Sequence, residues 1–133
     1  MSNRPRPAPF HSRFRFDLTT AATNQLAHEL GVLARAPLTE RHLAELREQP
    51  GVYLIDLSGP ILCIGTAEKS LPGRLRSRLH QLSGHPAIDI TKVRFCCLYV
   101  DDLALLRAQR LAALLWGTED MPLDRIMAGE EVM

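Results

Sequence analysis

Two short apolar runs separated by a turn constrain the fold of this chain more than any other feature. The first run is Val52–Leu57, the second is Ile61–Ile64, and Ser58, Gly59 and Pro60 lie between them. Serine, glycine and proline favour tight turns, and short runs of β-branched and apolar residues favour strands. The pattern therefore predicts a β-hairpin in which Pro60 stands at the start or the edge of the second strand.

An arginine-rich helix is predicted after the hairpin, over residues 71–82. Leu75, Leu79 and Leu82 recur at the spacing of one helix face and should pack on the core. Pro72 suits the first turn of a helix, where its missing N–H costs nothing. The arginines of this helix then flank its apolar stripe.

A third strand and further helices complete the predicted fold. Val93–Val100 is rich in β-branched, aromatic and cysteine residues, and Asp101 or Asp102 can cap a helix that follows it. Before the hairpin, Leu18–Ala36 and Thr39–Gln49 have helical patterns. The fold class expected is α/β (α+β), with a small three-stranded, mainly antiparallel sheet flanked by helices.

The length and the charge distribution predict one domain with two dissimilar ends. The chain has 133 residues, of which 46% are hydrophobic, and this suits a single domain with a packed core. Its formal net charge is only +1. We divide it into a basic, flexible arm (1–16), a helical segment (17–49), a core (50–116) and an acidic C-terminal tail (117–133). A basic arm can contact phosphates or simply be solvated.

The cysteines and the hydropathy argue against a disulfide-stabilised protein, a zinc-knuckle protein and a membrane-spanning protein. Cys63, Cys96 and Cys97 are odd in number, and two are adjacent in an apolar run, so neither a disulfide framework nor a CxxC zinc knuckle is indicated. They fit buried small hydrophobes in a reducing compartment. No apolar stretch approaches the roughly 20 residues of a membrane span. We therefore expect a cytoplasmic protein with no membrane partner.

A tyrosine on the first strand and arginines on the next helix point to nucleic acid. Tyr53 and Arg74 can converge on one phosphate in a shared cleft, because arginine suits planar, bidentate contact with phosphate. Arg76 and Arg78 are candidates for further phosphate contacts. The alternatives are that Tyr53 fills half-buried sheet surface and that the arginines form a solvated helix face.

The same residues resemble a known family. The order and spacing of three short motifs are similar to the GIY-YIG nuclease superfamily, and the likeness runs from Pro50 to about Leu115: Gly51-Val52-Tyr53, Cys63-Ile64-Gly65 and Arg74-Leu75-Arg76-Ser77. Residues 93–102 also look like the strand-into-helix segment of its type II restriction-enzyme branch. The resemblance implies a GIY-YIG-like fold and hydrolysis of nucleic-acid phosphodiester bonds, with DNA as the substrate.

The resemblance also implies a mechanism with one divalent metal ion, Mg²⁺ or Mn²⁺. Tyr53 would position or deprotonate the attacking water, and Arg74 would bind the scissile phosphate. A glutamate on a later helix would ligate the metal. Such a site neutralises the non-bridging oxygens and positions the nucleophile, which is what phosphoryl transfer requires.

Three positions depart from the family pattern. Cys63 stands where the second motif begins with tyrosine, and Thr66 stands where the repair branch often has lysine. Ala108 or Gln109 occupies the position of the metal-binding glutamate, depending on the alignment, and neither is anionic. On an apolar helix face Gln109 would need hydrogen-bond partners, which a cleft holding Tyr53 could supply; alternatively it reaches water at the helix border.

Three functions follow from this sequence. The first is a metal-dependent endonuclease of GIY-YIG type with altered metal ligation. The second is a catalytically inactive relative that binds nucleic acid. The third is a protein-interaction module, which would bind a protein partner or form a homodimer.

Overall fold

Five strands form one mixed sheet with helices packed against it. The computed structural model describes residues 9–14, 28–107 and 109. The strands are β1 (His11–Arg13), β2 (Ala36–Pro37), β3 (Gly51–Asp56), β4 (Ile61–Ala67) and β5 (Arg94–Tyr99). The helices are α1 (residues 28–32), α2 (Glu40–Leu43), α3 (Leu71–Ser83) and α4 (residues 103–107), with a 3₁₀ turn at Ile90–Lys92. The predicted mixed α/β class is confirmed.

The sheet contains more strands than the three predicted. The predicted hairpin and third strand are present as β3, β4 and β5, and β3 pairs antiparallel with both of the others. On the outer side of β5, β1 adds in parallel and β2 adds antiparallel. The prediction of three strands is therefore wrong in number. Both extra strands are too short to leave a period-two pattern, and residues 11–13 fall within the segment predicted as a flexible arm.

Strand alternation gives the sheet two buried faces. Odd-numbered residues of β3, with Tyr53 and Ile55 among them, pack on the side of α2 and α3, which we call the α3 side. Even-numbered residues of β3 pack on the other side, which we call the far side. The far-side cluster comprises Leu30, Val52, Leu54, Cys96, Leu98, Val100 and Leu106. Side-chain direction along β3 thus decides which helix each residue meets.

A buried carboxylate closes the hairpin end of the sheet. Asp56 is 4% exposed and accepts hydrogen bonds from Arg35 Nε (3.2 Å), Arg94 Nε (3.3 Å) and the Ser58 backbone N–H (3.0 Å). The turn that follows has positive φ at Ser58 (52°) and Gly59 (144°), the conformation that glycine adopts without strain. Two guanidinium groups offset the cost of burying this charge.

Helix α3 begins with its N-terminal amides already occupied. The Ser70 hydroxyl caps the helix by accepting from the Gly73 N–H (3.2 Å), and the Leu71 N–H donates to the Gln49 carbonyl (2.9 Å). Pro72 has no N–H and stands in the first turn, as predicted. The predicted helix over residues 71–82 is confirmed.

The remaining helices agree only partly with the sequence pattern. The predicted Asp102 cap is confirmed, since its Oδ1 accepts from the Leu105 N–H at 3.1 Å. Within the predicted helix Leu18–Ala36, residues 28–32 are helical, Ala36 opens β2, and residues 18–27 lie outside the described part. In the described part of the chain, no helix combines the length and the apolar character needed to cross a membrane.

Candidate nucleic-acid interface

Tyr53 lies at the centre of the sheet and is fully buried. It belongs to β3, and its ring crosses the sheet towards its β4 neighbour Gly65 on the α3 side. A Cβ at residue 65 would overlap the Cζ and hydroxyl atoms of Tyr53. Glycine at this position is therefore required to leave room for the tyrosine ring.

Arg78 is a helix arginine that contacts Tyr53. Its Nε donates to the Tyr53 hydroxyl (3.2 Å), its Nη1 donates to Gln81 Oε1 (3.0 Å), and the residue is only 6% exposed. Arg74 is the residue predicted to share a site with Tyr53. Arg78 lies one turn further along the helix and has the buried position instead.

Arg74 is exposed and lines a groove on the same side of the sheet. The groove has a volume of about 470 Å³ and runs between the end of β4 and the first turns of α3. It is lined by Thr66, Ala67, Glu68, Lys69, Ser70, Gly73, Arg74 and Ser77, which we call the α3 groove. Tyr53 is not among its lining residues, so the tyrosine and Arg74 share a side of the sheet but not this groove.

A second hollow continues the α3 groove along the helix. It shares Gly73 and Ser77 with the groove and is also lined by Arg76, His80 and Gln81. The Arg76 Nε donates to both carboxylate oxygens of Glu40, at 3.0 and 3.1 Å. The positive charge of Arg76 is thus offset by an acid on α2.

Two cations, Lys69 and Arg74, give the α3 groove its positive character. The groove's own acid, Glu68, lies 3.5 Å from the Arg107 Nε, so its negative charge is partly offset. Because the first amides of α3 are used within the fold, an anion would be held by the side chains of Lys69 and Arg74. Lys69 and Ser70 were not predicted as site residues. Their position directly before a helix start, after an apolar strand, was the available signal.

Ala108 and Gln109 are the two residues that can align with the metal-binding glutamate of the GIY-YIG family, and the structure describes only the second. Ala108 lies outside the described residues. Gln109 is buried at 8% exposure, and its Oε1 accepts no hydrogen bond in the described structure. It follows Leu106 by three residues, and Leu106 packs in the far-side cluster. Gln109 thus follows a residue of the far-side cluster, whereas Tyr53 packs on the α3 side.

The cysteines are buried, as predicted. Cys63 packs in the α3-side core, and Cys96 donates its thiol to the Leu30 carbonyl at 3.3 Å. Burial raises the pKa of the Cys96 thiol to about 11 and also raises the pKa of Cys97. Neither thiol forms a thiolate near neutral pH, so both act as small apolar groups.

Gly51 permits the close approach of β3 to its neighbours. A Cβ at this position would overlap the Leu98 carbonyl oxygen and would crowd Leu71 on α3. Like Gly65, it is a packing requirement of the motif.

The described side chains do not by themselves fit a divalent metal ion. Within residues 9–14, 28–107 and 109, no group of three His, Cys, Asp or Glu side chains could hold one. The α3 groove contributes a single carboxylate, Glu68, which already faces Arg107. Hard cations prefer several oxygen ligands, carboxylates among them. Comparison of the chain with protein-family models, curated proteins and solved structures found no match.

Proposed function

We propose that this protein is a cytoplasmic, GIY-YIG-like domain that binds the phosphate backbone of DNA through its α3 groove. The observation that carries the proposal is the placement of two exposed cations, Lys69 and Arg74, along an open groove of about 470 Å³. Cations of this kind supply most of the affinity of sequence-independent nucleic-acid binding.

The chemistry of the groove suits phosphodiesters better than a small apolar ligand. Arg74 can offer paired N–H donors to two phosphate oxygens, and Lys69 can offer a point charge to the next phosphate. The Ser77 hydroxyl at the groove wall donates to the Gly73 carbonyl and keeps an acceptor oxygen. The groove therefore supports contact with the phosphate backbone.

In this proposal the buried Tyr53–Arg78 pair has a positioning role. The hydrogen bond between them holds α3 against β3. It thereby fixes the position of α3, which forms one wall of the groove, relative to β4. Neither side chain is required to touch the ligand, since both are buried.

Hydrolysis is the second candidate, and one observation favours it. The resemblance expects a tyrosine beside arginines of the following helix, and Tyr53 does contact such an arginine, Arg78. Hydrolysis would also require Mg²⁺ or Mn²⁺, and the described side chains do not fit that ion. Binding without cleavage therefore stands first.

Binding is tested by fluorescence anisotropy with single-stranded DNA, duplex DNA and RNA of equal length, in buffer with EDTA. We expect Arg74→Ala and Lys69→Ala each to weaken binding about tenfold, and each to reduce the duplex salt slope by about 0.9. The matched controls are Arg41→Ala and Lys92→Ala, which remove the same charges from exposed positions outside the groove. Equal losses in groove and control variants would refute the α3 groove as the interface.

Cleavage is tested separately on supercoiled plasmid with Mg²⁺ or Mn²⁺. The first proposal expects binding with no metal-dependent nicking. Nicking by the wild type that disappears in the Tyr53→Phe, Arg74→Ala double variant would move hydrolysis to first place. Nicking that survives in the double variant indicates a contaminating nuclease.

A further inference from the structure

The outer edge of β4 has no strand beside it among the described residues. The sheet order is β1-β5-β3-β4, with β2 also on β5, so β4 is the last strand on its side. Its seven residues, Ile61–Ala67, include no charged residue and no proline. The first of them, Ile61, is 49% exposed.

The hydrogen-bond pattern identifies which β4 backbone groups face outward. The Val100 N–H donates to the Pro50 carbonyl, so even-numbered residues of β3 direct their peptide groups towards β5. Odd-numbered residues of β3 then face β4, and their partners there, such as Gly65 opposite Tyr53, are also odd. The peptide groups of Ile64 and Thr66 consequently point away from the sheet.

Within the described part of the chain, this edge lacks the usual protection against pairing with another strand. Natural edge strands are commonly protected by inserted charges, proline or bulges, because unpaired N–H and C=O groups recruit other strands. β4 has a register shift opposite Ile55 and Asp56, which affects its first residues and leaves the stretch from Cys63 to Ala67 regular. That stretch has high β-propensity and no charge.

We propose that β4 pairs with β4 of a second copy of this chain, antiparallel, about a two-fold axis at Gly65. Ile64 of each copy then exchanges backbone hydrogen bonds with Thr66 of the other. The second copy is the partner that fits because the segment is self-complementary: glycine meets glycine at the axis, and no like charges meet along the strand. The axis is perpendicular to the sheet, so both α3 helices lie on one face.

This pairing is independent of the proposed function, and it is tested without nucleic acid. Ile61 of one copy and Lys69 of the other each lie four residues from the axis, at the same end of the pairing and just outside its regular stretch. Ile61→Lys should therefore weaken the dimer at least about tenfold through like-charge repulsion, while Ile61→Glu should not. Val32→Lys is the matched control, because Val32 is an apolar residue with 66% exposure at a distant position on α1.

Sedimentation velocity over a concentration series measures the association. We expect a wild-type dimer, weakened by Ile61→Lys and unaffected by Val32→Lys. A wild type that stays monomeric up to about 1 mM, where even weak dimers form, would overturn the proposal. So would a dimer that Ile61→Lys and Val32→Lys affect equally.

Amide hydrogen exchange supplies a test that needs no substitution. On dilution from dimer to monomer, the amides of Ile64 and Thr66 should lose protection, while the inward-facing amide of Gly65 should keep it. Exchange at Ile64 and Thr66 that does not depend on concentration would place the contact elsewhere and overturn the β4 pairing.

Discussion

Arg74 and Arg78 lie one turn apart on the same helix and have opposite environments. Arg78 is buried and donates to the Tyr53 hydroxyl, whereas Arg74 is exposed and lines the α3 groove. A helix turns by about 100° per residue. Arg78 stands three residues after the buried Leu75 and four before the buried Leu82, so it shares their face. Arg74, four residues before Arg78, is rotated about 40° further from Leu75 and lies at the edge of that face, where it is exposed.

The two arginines therefore have different roles: Arg78 contributes to packing, and Arg74 contributes to the surface of the groove. A buried guanidinium is costly unless its donors are occupied, so Arg78 belongs to the packing of the sheet against α3. An exposed guanidinium usually contributes little to the fold, and the guanidinium of Arg74 lines the α3 groove. Substitutions in the buried region should therefore change stability, and those in the groove should change binding.

The largest effect is expected at Gly65, where the tyrosine ring crosses the strand. Gly65→Ala should lower the free energy of unfolding by about 3 kcal/mol or more, because the new Cβ overlaps the Tyr53 ring in a packed core. Urea denaturation measures the change. In a Tyr53→Val background the same substitution should cost much less, and equal costs in both backgrounds would show that the ring is not the obstacle.

Gly31→Ala is the control for this prediction. Gly31 is helical and has no atoms close to the place where a Cβ would lie. Alanine there should leave stability unchanged or raise it by up to about 1 kcal/mol, since it is the better helix former. A loss of stability similar to that of Gly65→Ala would point to a general intolerance of glycine replacement.

The second prediction compares how much Arg78 and Arg74 each contribute to the free energy of unfolding. Arg78→Ala should cost about 2–3 kcal/mol of unfolding free energy, since it removes buried packing and the donor to the Tyr53 hydroxyl. Arg74→Ala should stay within about 0.5 kcal/mol, as exposed substitutions usually do. Thermal and urea unfolding of the two variants measures both. Similar losses would mean that the contrast drawn from burial is wrong.

The main strands and α3 were predictable because their signals are local. Two apolar runs flank a Ser-Gly-Pro turn, and leucines at helical spacing follow a proline, so each element is specified by its own residues. The five-stranded sheet was not predictable in the same way. β1 and β2 span three and two residues and exist because the outer edge of β5 accepts them.

The candidate site was predictable only in outline. That an arginine of α3 meets Tyr53 follows from the motif order, but which arginine depends on the rotation of α3 over the sheet. Lys69 was missed because it stands in a connection, where no periodicity marks it. The placement of Gln109 depended on which side of the sheet α4 packs, and a single helix pattern carries no information about that.

The third prediction concerns the contribution of the Tyr53 hydroxyl to stability. Tyr53→Phe keeps the ring and removes the oxygen that accepts from Arg78 Nε. We expect a loss of about 1.5 kcal/mol, within the range for depriving a buried charged donor of its acceptor. Urea unfolding gives the value, and the Arg78→Ala background supplies the control, since the loss should shrink there. A loss that persists unchanged in that background would assign it to another contact of Tyr53.

The smallest effect is expected at His11, where β1 joins the sheet. The His11 Nδ1 lies 3.1 Å from the Tyr99 hydroxyl, which also accepts from the Arg47 N–H at 3.0 Å. Burial is the main cause that lowers the pKa of His11, with Arg47 acting in the same direction and Glu45 opposing. The unfolded chain therefore binds a proton that the folded chain does not, at pH values between the lowered pKa and the usual value of about 6.5.

Acidification should consequently destabilise the protein through His11. Its contribution is present above about pH 6.5 and is lost as the pH falls through the lowered pKa of the folded state. His11→Asn should flatten this part of the curve of unfolding free energy against pH, measured by urea denaturation from about pH 5 to 7. His80→Asn, at an exposed position on α3, is the matched control for the loss of a histidine. An identical pH dependence in wild type and His11→Asn would mean that burial in the folded state does not disfavour the protonation of His11.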